Sequence, residues 1–153
     1  MHLIAIGRLR AGPELELFDR YDSRLRPRLR VVEVPEERGN ASLIKRKEGA
    51  ALLAALPKDA FAVALDLGGH ALDSEGLALR LDQWRGLSHP ICFLIGGAEG
   101  LDAPVIAKAN YVLSLGLMTW PHFLVRAMLA EQLYRAQTIG QGHPYHRAGR
   151  PEV

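Results

Sequence analysis

The chain has 153 residues, which is one domain's worth, long enough to bury about two thirds of its unfolded surface. With 48% hydrophobic and 24% charged residues and no repeat or low-complexity tract, the composition excludes a disordered or fibrous protein. A net charge of +2 excludes a strongly polycationic chain, and a single cysteine, Cys92 in "PICFLIG", leaves neither a disulfide framework nor a cysteine metal cluster. The opening "MHLIAIGRLR" is too soon charged for a signal peptide, and no apolar run reaches the roughly 20 residues that cross a bilayer. A cytoplasmic protein without membrane association is expected.

Hydrophobic periodicity then divides the chain into short apolar runs and helical patterns. Leu3 to Gly7 reads as a strand, and Pro13 to about Leu25 as a helix with Leu15, Phe18 and Tyr21 on one side. Arg30 to Val34 is a second strand and "EERGN" a loop. Asn40 caps a helix that Pro57 stops. Phe61 to Leu67 is a strand apolar on both faces, broken by "GGH". Ser74 is expected to cap a helix reaching Trp84, and "ICFLIG" is a fourth strand. A short helix over Ala103 to Ala109, a fifth strand over Tyr111 to Gly116 and a long amphipathic helix over Phe123 to Ile139 complete the series. Strands apolar on both faces and separated by helices predict an α/β fold, a mostly parallel sheet with helices on both faces, and a single domain over 1–153.

In such sheets ligands sit beyond the carboxyl ends of the strands. The loops there are unusual: "LDLGGH", "IGGAEG" and "LGLMTWPH". Glycines admit close backbone approach to a ligand, and an apolar loop such as Leu117 to Pro121 is expected to be buried or covered by a partner. Charge is also uneven. Residues 1–50 hold eleven Lys/Arg against eight Asp/Glu, whereas residues 51–120 hold four against seven. The densest basic run is "RLRPRLR", Arg24 to Arg30, expected to be extended with guanidinium groups on one side, where it would attract phosphate. The cluster "HPYHR", His143 to Arg147, unites stacking and hydrogen-bonding groups suited to RNA.

The motifs "LDLGG", "LIGGAEG", "MTWPHFLVRAMLAEQLYRA" and "HPYHR", in this order and with "KEG" at Lys47 to Gly49, resemble the ribosomal RNA large subunit methyltransferase H (RlmH) family of the SPOUT superfamily. The resemblance spans nearly the whole chain. It implies a deep trefoil knot in the carboxy-terminal part, a homodimer, and methyl transfer from S-adenosylmethionine to N3 of a pseudouridine in 23S ribosomal RNA of the assembled ribosome, without a metal. By the same resemblance, Leu65, Gly97, Gly116, Leu117, Met118, Thr119, Trp120 and Pro121 are the implied cofactor contacts, and Arg126, His143, Tyr145, His146 and Arg147 are expected at the RNA. The sequence departs from the common pattern at Ala98, where proline is frequent, at Gly116, where serine is frequent, and at Phe123 after "PH". Six residues, "AGRPEV", follow the histidine motif.

Such a displacement needs nitrogen and methyl carbon held in line rather than a dedicated nucleophile, but the imide N3 must lose a proton. Candidate acceptors are His122, His143, His146 and Glu131; Glu131 also has roughly helical spacing for an ion pair with Arg126 or Arg135. A valine at Gly97 is expected to block the cofactor while leaving the fold, and the tail, 143–153, to complete the RNA site beside the cofactor loops. Two alternatives stay open: a related SPOUT transfer-RNA ribose methyltransferase, and a non-enzymatic ribosome-binding factor.

Overall fold

The computed structural model describes residues 1–147 and 149, so residues 148 and 150–153 of the expected tail lie outside the described residues. Ten elements follow one another: β1 His2–Ile6, α1 Pro13–Asp22, β2 Arg30–Val34, α2 Ala41–Ala54, β3 Phe61–Ala71, α3 Ser74–Gly86, β4 Ile91–Ile95, α4 Ala103–Lys108, β5 Tyr111–Ser114 and α5 His122–Gly140. The strands form one sheet in the order β2-β1-β4-β3-β5, and every pairing is parallel. This is the expected α/β architecture. No helix among the described residues is long and apolar enough to cross a membrane.

Alternation along the strands supplies two cores. Leu3 and Ala5 of β1, Val63 of β3 and Phe93 and Ile95 of β4 point to one face, where Phe18 of α1, Leu77, Leu81 and Trp84 of α3 and Leu129 and Leu133 of α5 cover them. Ile4 and Ile6, Ala62 and Ala64, and Cys92 and Leu94 point to the other, under Leu52 of α2 and Val105 of α4. Each buried Leu, Ile or Phe side chain contributes roughly 1.5–3 kcal/mol, which is why central strands must be apolar on both sides.

Three local expectations are corrected. The strand β3 does not break at "GGH" but continues to Ala71, with a register shift: Leu65 and His70 both lie opposite Leu113 of β5. The glycines permit this, since a Cβ on Gly69 would stand 2.6 Å from the Val112 carbonyl oxygen. The cap of α3 is Asp73 rather than Ser74, because its carboxylate accepts from the Gly76 amide at 2.7 Å. The run Arg24 to Arg30 is a turn, not an extended strip, and passes through a cis Arg26–Pro27 bond. Burial of Leu25 and Leu29 sets its path. Arg24 stacks on Tyr21 and Tyr134, Arg26 donates to the Ser23 and Leu25 carbonyls, and Arg28 pairs with Asp22 at 3.0 Å.

Candidate cofactor pocket and carboxy-terminal segment

Because β4, β3 and β5 are neighbours in the sheet, their carboxyl-end loops meet. They enclose about 760 Å³ of space, partly open to solvent, with the start of α5 as the remaining wall. Leu65, Gly97, Gly116, Met118, Thr119 and Trp120 line this cavity; Leu117 and Pro121 do not. The Pro121 carbonyl instead accepts from the Val125 amide at 3.1 Å and opens α5, while Leu117 is 92% exposed. The apolar loop is therefore not buried within its own chain: Leu67, Leu117 and Met118 all stand in solvent around the cavity.

The glycines have different reasons. Gly116 has φ +109°, a conformation that suits glycine, and its turn is tied by the Ser114 hydroxyl, which donates to the Gly116 carbonyl at 3.0 Å. Gly97 is constrained from behind the loop: a Cβ there would meet Glu48 Oε2 at 2.7 Å and Ile6 Cγ2 at 3.0 Å. A valine would thus collide with the protein interior, correcting the expectation that it leaves the fold untouched. Trp120 lines the cavity, yet its buried indole Nε1–H has no hydrogen-bond partner among the described residues. An unpaired buried donor is costly, and this one has almost no surface of its own open to the cavity.

The proton-acceptor candidates separate. His122 lines the cavity, half-buried, with Nε2 at 3.6 Å from Glu36 Oε1. Burial lowers its pKa, Arg126 adds to this, and Glu36 opposes it. Glu131, His143 and His146 gather elsewhere, with the tail. There Tyr145 donates its hydroxyl to Glu131 at 3.1 Å, Arg135 Nε donates to Glu131 at 3.0 Å, and the Arg135 guanidinium lies 4.9 Å from the Tyr145 ring centre. Tyr145 also meets Tyr134 edge-on at 4.8 Å. His146 sits between Arg135 and Glu75, and the His143 amide donates to the Thr138 carbonyl at 2.9 Å. Burial and Glu131 push the Tyr145 phenol up to about 12, so it stays a donor. The segment packs on α5 and α3 of its own chain, none of its residues lines the cavity, and Arg147 is exposed. Glu131 instead lines a second cleft, bounded by α1, α3 and α5, which shares Leu113, Leu115 and Gly116 with the first.

Arg126 is not placed for RNA. Its guanidinium is 1% exposed and donates to the Ile6 and Gly7 carbonyls, both at 2.6 Å, and to Glu33 at 3.0 Å. It closes the end of β1, where the chain leaves the sheet and would otherwise bury unpaired carbonyl groups.

A family model described as "Predicted SPOUT methyltransferase" matches residues 1–146. The chain belongs to the SPOUT methyltransferase family. This SPOUT methyltransferase is 64% identical over 151 residues, 99% of both chains, to "Ribosomal RNA large subunit methyltransferase H" of Gluconacetobacter diazotrophicus. It is 54% identical to the protein of that name from Acidiphilium cryptum, over 99% of this chain and 96% of that one. Among solved structures, a probable methylase family protein from Haemophilus influenzae shares its fold, with a TM-score of 0.59 at 10% identity, covering 99% of this chain and 72% of that one.

Sequence reasoning missed several walls of the pocket in this SPOUT methyltransferase. Asp66 lines it beside Leu65, its Oδ1 accepting from the Gly68 amide at 2.9 Å, and its place directly after the apolar run "FAVAL" was the available signal. Leu115 and Val125 also line it, but nothing in their spacing separates them from ordinary core residues.

Proposed function

We propose that the chain transfers a methyl group from S-adenosylmethionine to N3 of a pseudouridine in 23S ribosomal RNA of the assembled ribosome, acting as a homodimer with a knotted carboxy-terminal part. The observation that carries this reading is the convergence of the three glycine-containing loops on one cavity, in a chain whose close relatives bear the name of a ribosomal RNA methyltransferase. The cavity suits the cofactor. Leu65, Ile95, Leu115 and Val125 offer apolar walls for an adenine ring, and the glycine backbones offer hydrogen bonds. When bound, S-adenosylmethionine supplies an electrophilic methyl carbon.

The chain's own residues then have three tasks. Leu65, Gly97, Gly116, Met118, Thr119 and Trp120 bind and orient, with Leu117 and Pro121 shaping the loop from outside the cavity. His122 takes the N3 proton: it alone of the four candidates lines the cavity, and burial keeps its imidazole neutral at pH 7, as an acceptor must be. Tyr145, His143, His146 and Arg147 meet the RNA. The exposed Leu67, Leu117 and Met118 support a partner subunit over the pocket's rim.

The test combines titration calorimetry with S-adenosylmethionine and mass spectrometry of 23S RNA after incubation with ribosomes from cells lacking the gene. Cofactor binding and one added methyl on a pseudouridine are expected. Methylation of transfer RNA in place of 23S RNA, or no cofactor binding, would refute the reading.

A further inference from the structure

The "KEG" segment, Lys47 to Gly49, lies outside the pocket, yet all three residues act on its surroundings. Lys47 pairs with the Glu37 carboxylate at 3.4 Å, and Glu48 Oε1 accepts from the Glu37 amide at 3.0 Å, so two successive residues of α2 hold one residue of the segment after β2. Gly49 lets α2 approach the start of α4, because a Cβ there would stand 2.8 Å from Asp102 Cβ. Glu48 itself is 3% exposed, and its Oε2 has no partner among the described residues. That oxygen lies directly behind Gly97, 2.7 Å from where a Cβ would be. A carboxyl group thus fills the space between the cavity's glycine turn and the segment carrying Glu36, the neighbour of His122.

We propose that Glu48 is a positioning residue for the pocket, whose buried carboxyl group holds the Gly96–Gly97 turn and the segment after β2 in register without touching any ligand. The surroundings disfavour its ionised form. Glu36 and Glu37 face it from the segment after β2 and Glu99 from the loop after β4, while Lys47 is spent on Glu37. Desolvation is the largest influence, and with those three carboxylates it raises the Glu48 pKa against the backbone hydrogen bond. An ionised group with one oxygen buried and unpaired is costly, which is the physical cause of the upward shift.

The inference rests on the cofactor reading above, and its test keeps the two apart. Titration calorimetry with S-adenosylmethionine on wild type, Glu48→Ala, Glu48→Asp and Glu48→Gln is joined to hydrogen exchange of the Gly96 to Gly100 amides in the free proteins. Because loops that miss their geometry by a fraction of an ångström lose binding steeply, Glu48→Ala and Glu48→Asp are expected to bind about tenfold more weakly, with faster exchange in the turn. Glu48→Gln, neutral and of the same shape, is expected within about twofold of wild type. Alanine and aspartate variants that bind as wild type does would overturn the positioning role, and a glutamine variant as weak as the aspartate variant would overturn a role carried by the shape of the group. If the alanine variant does not fold, the aspartate and glutamine pair separates the same outcomes. Wild type that binds no S-adenosylmethionine refutes the cofactor reading instead, and the exchange rates in the turn still decide whether Glu48 holds it.

Discussion

Replacing Arg126 with alanine separates a structural cation from an RNA contact. The side chain makes three hydrogen bonds, two to the buried Ile6 and Gly7 carbonyls and one to Glu33, which is 33% exposed. Each carbonyl left unpaired costs about 1–3 kcal/mol, and the ion pair to a partly hydrated carboxylate adds nearer 1 kcal/mol. Water entering the vacated space restores part of this, so the expected loss is about 3–5 kcal/mol, the range for breaking a buried pair from one side. For a chain of this size that is a fall in Tm of roughly 6–20 °C. Arg126→Lys should recover less than half, because an ammonium cannot serve both carbonyls and Glu33 from one fork. Urea unfolding followed by circular dichroism reads the loss. A variant within about 1 kcal/mol of wild type that no longer methylates ribosomes would refute this reasoning and return Arg126 to the RNA.

Removing residues 143–153 should abolish methylation of ribosomes while calorimetry finds cofactor affinity retained, because no residue of 143–147 lines the cavity; a normal methylation rate would reduce the tail to packing. Leu117→Asp should leave the melting of the subunit nearly unchanged, since the side chain is 92% exposed, yet shift sedimentation towards monomer; an unaltered dimer would move the interface elsewhere. Burial pushes the Cys92 thiol up to about 11, so iodoacetamide at pH 8 should label it only in urea. Glu48 is protonated in the folded chain at pH values where it is ionised in the unfolded one, so its contribution to stability declines as pH rises above the usual 4.5 towards its raised value. The stability gap between Glu48→Gln and wild type should therefore widen in that direction, and urea midpoints that run parallel across pH would contradict it.

Much of the fold was legible because burial on two faces leaves a plain trace: "FAVAL" and "ICFLI" can only be central strands, and Asn40 caps α2 as read, accepting from the Leu43 amide at 2.9 Å. What failed was what depends on a distant neighbour. Gly68 and Gly69 look like a break until β5 is known to press against them. The alternation in Arg24 to Arg30 looks like a strand until Leu25 and Leu29 are seen to be buried within a turn. The three loops of the pocket could be picked out singly by their glycines, but their meeting depends on strand order, which periodicity does not contain. Arg126 and Glu48 were opaque for the same reason: their partners at Ile6, Glu33 and Gly97 lie tens of residues away.

The strand order also bears on how the chain is made. In the sheet β1 lies between β2 and β4, and His2 pairs with Cys92, ninety positions later. During synthesis, therefore, β1, α1, β2 and α2 emerge long before the strand that covers the other edge of β1. A nascent chain stopped after α2 would present that edge, with Leu3, Ile4, Ala5 and Ile6, to any other unpaired strand. The interval until β4 emerges is set by the speed of translation rather than by the chain itself, so slower elongation between residues 55 and 95 lengthens the exposure that invites aggregation.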